Sequence, residues 1–437
     1  MYVKIKTMMR QSNIFPIIFF LLTASCVGNS PTELTTVPDT QPIATIPMNT
    51  HTVTQPLPPT GTESPPATAT FLPSSTQQPS PSPTSGPLGP ESYPPDINPL
   101  SGLPVSQPKN LNLPPALISI PNSPVSARPQ AGLSFSPLVF EMYIGEGATR
   151  FLALFYGDYP YSEDVEAYVG PIRSGRIPYE TLRTIYNGFL MFAGASWRVL
   201  PFLDEYIVVY NEDPENINGA RTSVSRMIEI AQIKQEFLGA PAFSGLLFDK
   251  NPPPGGKPGN MLWVAFNYTA QVFWRFDSGS GAYMRYQDQG EGTPLQVLTD
   301  KLNEENLTYE NVIVLYTDYH RYDELYFDID LLYVNRYPAL LFRDGKMYEI
   351  YWTTRNQEPE WTTGKLRPIR FIDYDGNPIA LKPGQTWVEL IQLHSPTYET
   401  IDTTDYRQLS TIWERGSGNW AVIFDKPAFE AGPLMPE

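Results

Sequence analysis

The sequence predicts an α+β fold, with a layered sheet-and-helix N-terminal half and a mostly antiparallel β C-terminal half. Three observations point there. Aromatic residues are abundant, at 26 Tyr, 22 Phe and 8 Trp, which suits a sheet-rich interior. Two segments with apolar residues at helical spacing interrupt short apolar runs before residue 251. Beyond the breaker-rich stretch 251–260, Asn-Pro-Pro-Pro-Gly-Gly-Lys-Pro-Gly-Asn, the pattern changes to alternating runs joined by turns.

In chain order, Lys4, Lys6 and Arg10 precede an apolar run over 14–22, then Ala24 and Ser25 stand before Cys26. This is the layout of a signal peptide over 1–25 with lipidation at Cys26. Nine apolar residues fall short of the roughly 20 that a spanning helix needs. Cys26 is the only cysteine, so no intrachain disulfide can form, and a lone thiol in an exported chain is better explained by acylation than by oxidation. The alternative is an ordinary cleaved signal with Cys26 there by chance. Two or three acyl chains would suffice for stable attachment. The expected location is the cell membrane, lipid-anchored on its extracytoplasmic face.

Residues 26–90 read as the lipidated Cys and a disordered linker dominated by Pro, Ser and Thr, with no Lys or Arg. As polyproline II such a segment reaches on the order of 190 Å. Two parts follow, an N-terminal α+β domain over 91–250 and a C-terminal β-rich domain over 261–430. In the first, strands are predicted at Ala116–Ile120, Leu138–Tyr143, Thr149–Tyr156, Phe189–Ala193 and Tyr206–Tyr210. One helix opens at Pro178, with Leu182, Ile185 and Phe189 on one face and Gly188 weakening its end. A second is capped by Ser223 or Ser225 and closed by Gly239 and Pro241. In the second part, alternating runs at Met261–Phe266, Val272–Phe276, Ala282–Gln287, Asn311–Tyr316, Leu325–Leu332, Leu340–Arg343, Lys346–Trp352, Arg370–Tyr374, Pro378–Leu381 and Thr386–Leu393 predict strands.

A net charge of -16 argues against nucleic acid as a partner. Of three histidines His51 lies in the linker, leaving His320 and His394, so no His-rich or Cys-based metal site can be assembled and no metal or cofactor is expected. His320, in Asp318-Tyr319-His320-Arg321-Tyr322-Asp323, reads as an exposed turn. Asp373-Tyr374-Asp375-Gly376 reads as a hairpin turn, because a calcium loop starting there would carry Gly384 at its twelfth position. Trp352 and Trp361 read first as core, with a sugar-stacking platform as the alternative.

Several stretches resemble the YerB-like lipoprotein family, a two-part domain of unknown function (DUF3048, N- and C-terminal). They include Asn98 to Leu103, Ala127 to Ser134, Gly145 to Phe155, Val169 to Arg176, Leu341 to Lys346 and Pro383 to Val388. The resemblance implies an exported, lipid-anchored α+β protein and no established activity. The chain departs from the family at Gly175, usually Ala, and at Phe192, where a His commonly stands.

Charge gathers near apolar strands in the first half: Arg128, Glu141, Glu146, Arg150, Arg173 and Arg176. Arg173 and Arg176, with Ser174 between them, precede the Pro178 helix, so their guanidinium groups and the free N–H groups of that helix can converge on a phosphate or carboxylate. Glu146 and Arg150, four apart in extended chain, are expected on one face and able to pair, with Gly145 and Gly147 marking a bulge. Three readings stand. The first is a buried network in which the arginines pair with Glu141 and Glu146. The second is a ligand site, at Arg128, Arg150, Arg173, Ser174 and Arg176, for an anionic or sugar-bearing envelope component. The third is catalysis by Glu141 and Glu146 on envelope glycan, as hydrolase or transferase. The function expected is an envelope protein, more a binder than an enzyme, with a cell-wall polymer or envelope protein as partner.

Overall fold

The computed structural model describes residues 86–430 apart from 164, 212, 214, 291, 293, 294, 404 and 406–412. Cys26, the signal peptide and most of the linker lie outside the described residues. The fold is rich in strands and poor in helix, with mixed sheets; a clear layering of helices on sheet does not emerge. Three α-helices are present among the described residues: α1, Pro178–Ile185, α2, Val224–Leu238, and α3, Glu358–Thr363. Ser223 caps α2 by accepting from the Arg226 N–H. The face of α1 is Tyr179, Leu182 and Ile185; Phe189, expected on that face, instead starts a strand.

The larger sheet runs in the order 370–372, 346–353, 337–343, 311–317, 386–392, 138–145, 148–155, 116–121, 189–192, 206–208. Its centre is parallel, where Thr386–Gln392 lies between Asn311–Thr317 and Leu138–Gly145. Antiparallel pairs flank that centre on both sides. The sheet therefore takes strands from both sides of the 251–260 stretch. Leu138–Gly145 is buried at every residue, as a strand covered on both faces must be. Apolar residues from both sequence halves join one core cluster.

The second sheet runs 295–297, 282–288, 270–277, 261–267, 419–423, 397–399, antiparallel except where Met261–Asn267 meets Asn419–Ile423. The expected strand Leu325–Leu332 is reduced to Phe327–Ile329, paired with Tyr319–Arg321.

The two sheets meet around Arg285, whose side chain is fully buried. It leaves strand Ala282–Asp288 and reaches the larger sheet, donating from Nη2 to Glu141 Oε2 at 2.7 Å and from Nη1 to Glu389 Oε1 at 3.3 Å. Glu141 and Glu389 are side-by-side partners across the central parallel pair. The guanidinium packs over Trp387, 4.2 Å from the ring centroid, and over Trp274 and Phe151. Trp274 donates its indole N–H to Glu389 Oε1 at 2.9 Å, and Gln287 accepts from Arg285 at 2.8 Å. Burial, then the charge of Glu141, pushes the Glu389 carboxyl well above the usual carboxylate range.

Removing Arg285 leaves two buried carboxyls without a cation, so Arg285→Met is expected to cost about 3–5 kcal/mol, read as a drop in the denaturation midpoint. An acid whose folded pKa is raised keeps its proton longer in the fold than in the unfolded chain. Stability should therefore fall as pH rises from the unfolded value toward the folded one. Glu389→Gln is expected to flatten that decline and to leave neutral-pH stability unchanged or higher, measured by urea melts from acid to neutral pH.

Candidate functional site

Side chains alternate faces along a strand, and this alternation divides the predicted charge cluster. Glu141 lies opposite Phe151, and Arg150 lies opposite Met142, in the hairpin of Leu138–Gly145 with Ala148–Phe155. Glu141 and Phe151 face the second sheet, and on that face Phe151 meets Trp387 of the same larger sheet edge-on, ring centroids 4.9 Å apart. Arg150 projects from the other face. The first reading is corrected accordingly: a buried ion network exists, but its cation is Arg285 and none of the arginines singled out in the first half joins it.

Glu141 is sealed. Its Oε1 accepts from Thr149 Oγ1 at 2.6 Å and from Asn122 at 3.3 Å, while Oε2 is held by Arg285. Glu146 sits exposed at the tip of the hairpin in left-handed backbone, φ 48°, between Gly145 and Gly147. The tip presses on the 324–325 backbone, where a Cβ at Gly145 would stand 1.9 Å from the Glu324 carbonyl oxygen. Glu146 therefore turns away from Arg150, and the expected pair does not form. The two glutamates do not face one cleft, which removes the geometry that acid–base catalysis by both would need.

Arg150, Arg173 and Arg176 do come together. Arg150 Nη1 donates to the Ser174 carbonyl at 2.9 Å, and Ser119 Oγ donates to the same oxygen at 3.0 Å. Ser174 thus contributes its backbone to the site. Arg173 donates to the Ile217 carbonyl and, at 2.7 Å, to Asn218 Oδ1. Arg176 Nη1 reaches only the neighbouring Gly175 carbonyl, at 3.0 Å. The Nε–H groups of Arg150 and Arg176 are buried and have no hydrogen-bond partner. Among the described residues no ion pair involves any of the three. Burial depresses the Arg150 guanidinium to about 10, and the nearby Arg176 and Arg173 charges add to this. Arg176 and Arg173 are lowered in the same direction by burial.

The helix contributes less than the spacing suggested. Pro178 has no N–H, and the Tyr179 and Glu180 amides already donate to the Arg176 and Ile177 carbonyls at 3.1 Å each. The cationic character rests on guanidinium groups, flanked by the Tyr179 hydroxyl, 3.1 Å from Ser119 Oγ, and by Tyr326, whose hydroxyl is 2.9 Å from Ser196 Oγ.

Arg128 belongs elsewhere. It donates to the Asn122 carbonyl at 2.8 Å and to the Asp288 carbonyl, and burial depresses it to about 10 despite the opposing charge of Asp288. It lines a polar cleft of about 430 Å³ with Asn216, Asn218, Arg221 and Lys301. Arg221, Lys301 and Arg285 were missed from the sequence. Arg285 had one legible signal, a lone arginine on the Tyr283–Gln287 face of an alternating strand.

His320 is part of the short strand Tyr319–Arg321, not an exposed turn, with Glu430 Oε1 at 2.5 Å and Asp330 Oδ1 at 3.1 Å. Burial lowers its pKa, but the two carboxylates outweigh that and raise it. Trp352 is core, donating to the Tyr316 carbonyl, while Trp361 is exposed on α3. The Asp373 carboxylate is occupied by the turn, accepting from the Asp375 and Asn377 amides at 2.9 and 2.8 Å.

Two family descriptions match this chain. "Protein of unknown function (DUF3048) N-terminal domain" covers residues 100–241, and its C-terminal counterpart covers 262–388, together more than half of the sequence. The chain belongs to this YerB-like family. A Bacillus subtilis relative, "Putative lipoprotein YerB", is 25% identical over 315 residues, 67% of this chain and 85% of its own. The crystal structure of YerB protein from Bacillus subtilis shares the fold, with a TM-score of 0.53 at 24% identity, covering 68% of this chain and 96% of that one. Among the described residues no helix is long and apolar enough to cross a membrane.

The two departures from the family pattern meet in space. A Cβ at Gly175 would stand 2.8 Å from Leu203 Cδ1 and 3.1 Å from Phe192 Cδ1, so Leu203 and the Phe192 ring together fill the room an alanine methyl would need. Gly175→Ala is expected to destabilise by about 1–3 kcal/mol through overpacking. Adding Phe192→Leu should recover part of that loss, and a thermal-melt double-mutant cycle measures the coupling.

Proposed function

We propose that this chain is a lipid-anchored envelope protein, tethered through Cys26 on the extracytoplasmic face, whose head binds an anionic envelope component at Arg150, Arg173 and Arg176. The observation that carries the reading is the burial of Arg150, 8% exposed, with a free Nε–H and no acidic partner. An unpaired buried cation is costly, and natural chains retain such groups where a ligand supplies the counter-charge. The relative's description as a lipoprotein supports the tether. Two buried guanidinium groups offering N–H donors suit the paired oxygens of a phosphate or carboxylate.

For the full chain in detergent micelles, titrated with inorganic phosphate by calorimetry, Arg150→Met is expected to weaken binding at least about tenfold, the loss of one charge-assisted contact. In phosphate-free buffer the same variant should melt no lower than the parent, because it removes an uncompensated buried charge. A purely structural role predicts a lower midpoint and no change in binding, which would overturn the proposal. The tether is checked separately: Cys26→Ser should move the chain out of the membrane fraction and remove acyl mass from its N-terminal peptide.

A further inference from the structure

Arg173 links two basic places. On one side it is close enough to Arg150 to lower that group's pKa; on the other it holds Asn218, which in turn donates to the Ser126 carbonyl at 3.0 Å. Ser126 and Asn218 form the wall of the 430 Å³ cleft that also contains Arg128, Arg221 and Lys301. Gly170 and Pro171 line that cleft too, so one short stretch, 170–176, runs from the cleft to the Arg150–Arg176 cluster. The six residue-to-residue steps of that stretch span at most about 20 Å.

The cleft has cationic groups to spare. Arg221 packs its guanidinium over the Tyr168 ring, 5.0 Å from the centroid, and takes part in no ion pair among the described residues. Lys301 takes part in none either, and both residues are exposed. Among the described residues Asp213 is the one acid lining the cleft, against three cations. In a chain of net charge -16 this local excess runs against the general surface.

Resting on the anion-binding reading above, we infer that the ligand is a flexible linear polyanion with recurring phosphate or carboxylate groups, engaging the Arg150–Arg176 cluster and the Arg221–Lys301 cleft together. Arg128, at the cleft, feels Glu141 on one face of the larger sheet, while Arg150 projects from the other. The path between them turns round the end of strand Ala116–Pro121, where the Arg173 amide bonds Ser119. A single flexible chain can follow that turn. Two linked contacts make the second binding event intramolecular, so affinity should rise steeply once the ligand reaches both.

The test uses the full chain in detergent micelles with polyphosphate and oligogalacturonate of graded length, beside inorganic phosphate. Affinity for one or both polymers is expected to rise about 100-fold across the length that bridges the sites, and which one does so names the acidic group. Arg221→Gln with Lys301→Gln, both on the surface, should remove that rise and leave inorganic phosphate binding within about twofold. Affinity independent of length for both polymers, with phosphate binding still lost in Arg150→Met, overturns this inference and leaves the anion-binding reading standing. Absence of phosphate binding by the parent chain overturns both.

Discussion

Arg285 is the residue on which the two sheets depend for their contact. It carries a full charge into a place lined by Trp274, Trp387 and Phe151, and such a charge is tolerable only because Glu141 and Glu389 meet it there. Two carboxyls for one guanidinium leave an excess of acid, which the fold relieves by holding Glu389 toward its protonated form and by giving it the Trp274 indole N–H. An apolar trio could fill the same volume, but it would not favour one alignment of the strands over another. The ion-and-hydrogen-bond set requires Glu141 beside Glu389 and Trp274 beside Arg285, which are the observed pairings.

That constraint also decides which charges remain available for other work. Once Glu141 is committed to Arg285, strand alternation sends Arg150 to the opposite face, away from either glutamate. The hairpin tip at Gly145-Glu146-Gly147 carries the second carboxylate outward to solvent. The separation of acid from base in this half of the molecule is thus a product of backbone geometry, and it leaves three neighbouring guanidinium groups bonded to carbonyls and to the Asn218 side chain and not to carboxylates.

Much of the local structure was legible in the residues. Apolar runs located the strands near 116, 138 and 149, alternation located the one near 282, and Ser223 with Gly239 bounded α2. What alternation could not supply was partnership: the parallel pairing of Thr386–Gln392 with Leu138–Gly145 joins segments far apart in the chain, and no short-range signal encodes it. Helix α3 escaped notice because six residues starting Glu-Pro-Glu have no room for a period; its capping box, Gln357 with Glu360, is the only mark. At the site, the spacing of Arg173 and Arg176 was informative. The misjudged pairing of Glu146 with Arg150 followed from counting 146–150 as extended chain, whereas three successive left-handed residues at 145–147 reverse it.

The way the chain enters the fold has a mechanical consequence. Leu88 exchanges both backbone hydrogen bonds with Phe248, Gly245 donates to the Pro90 carbonyl, and Phe248 lies in turn beside Leu381. Tension arriving from upstream of residue 86 would load this antiparallel bridge first, passing through residues 245–248 to strand Ala380–Leu381 and to Arg343, whose guanidinium donates to the Ala380, Asp249 and Lys250 carbonyls. Arg150, Arg173 and Arg176 make none of the hydrogen bonds on that route.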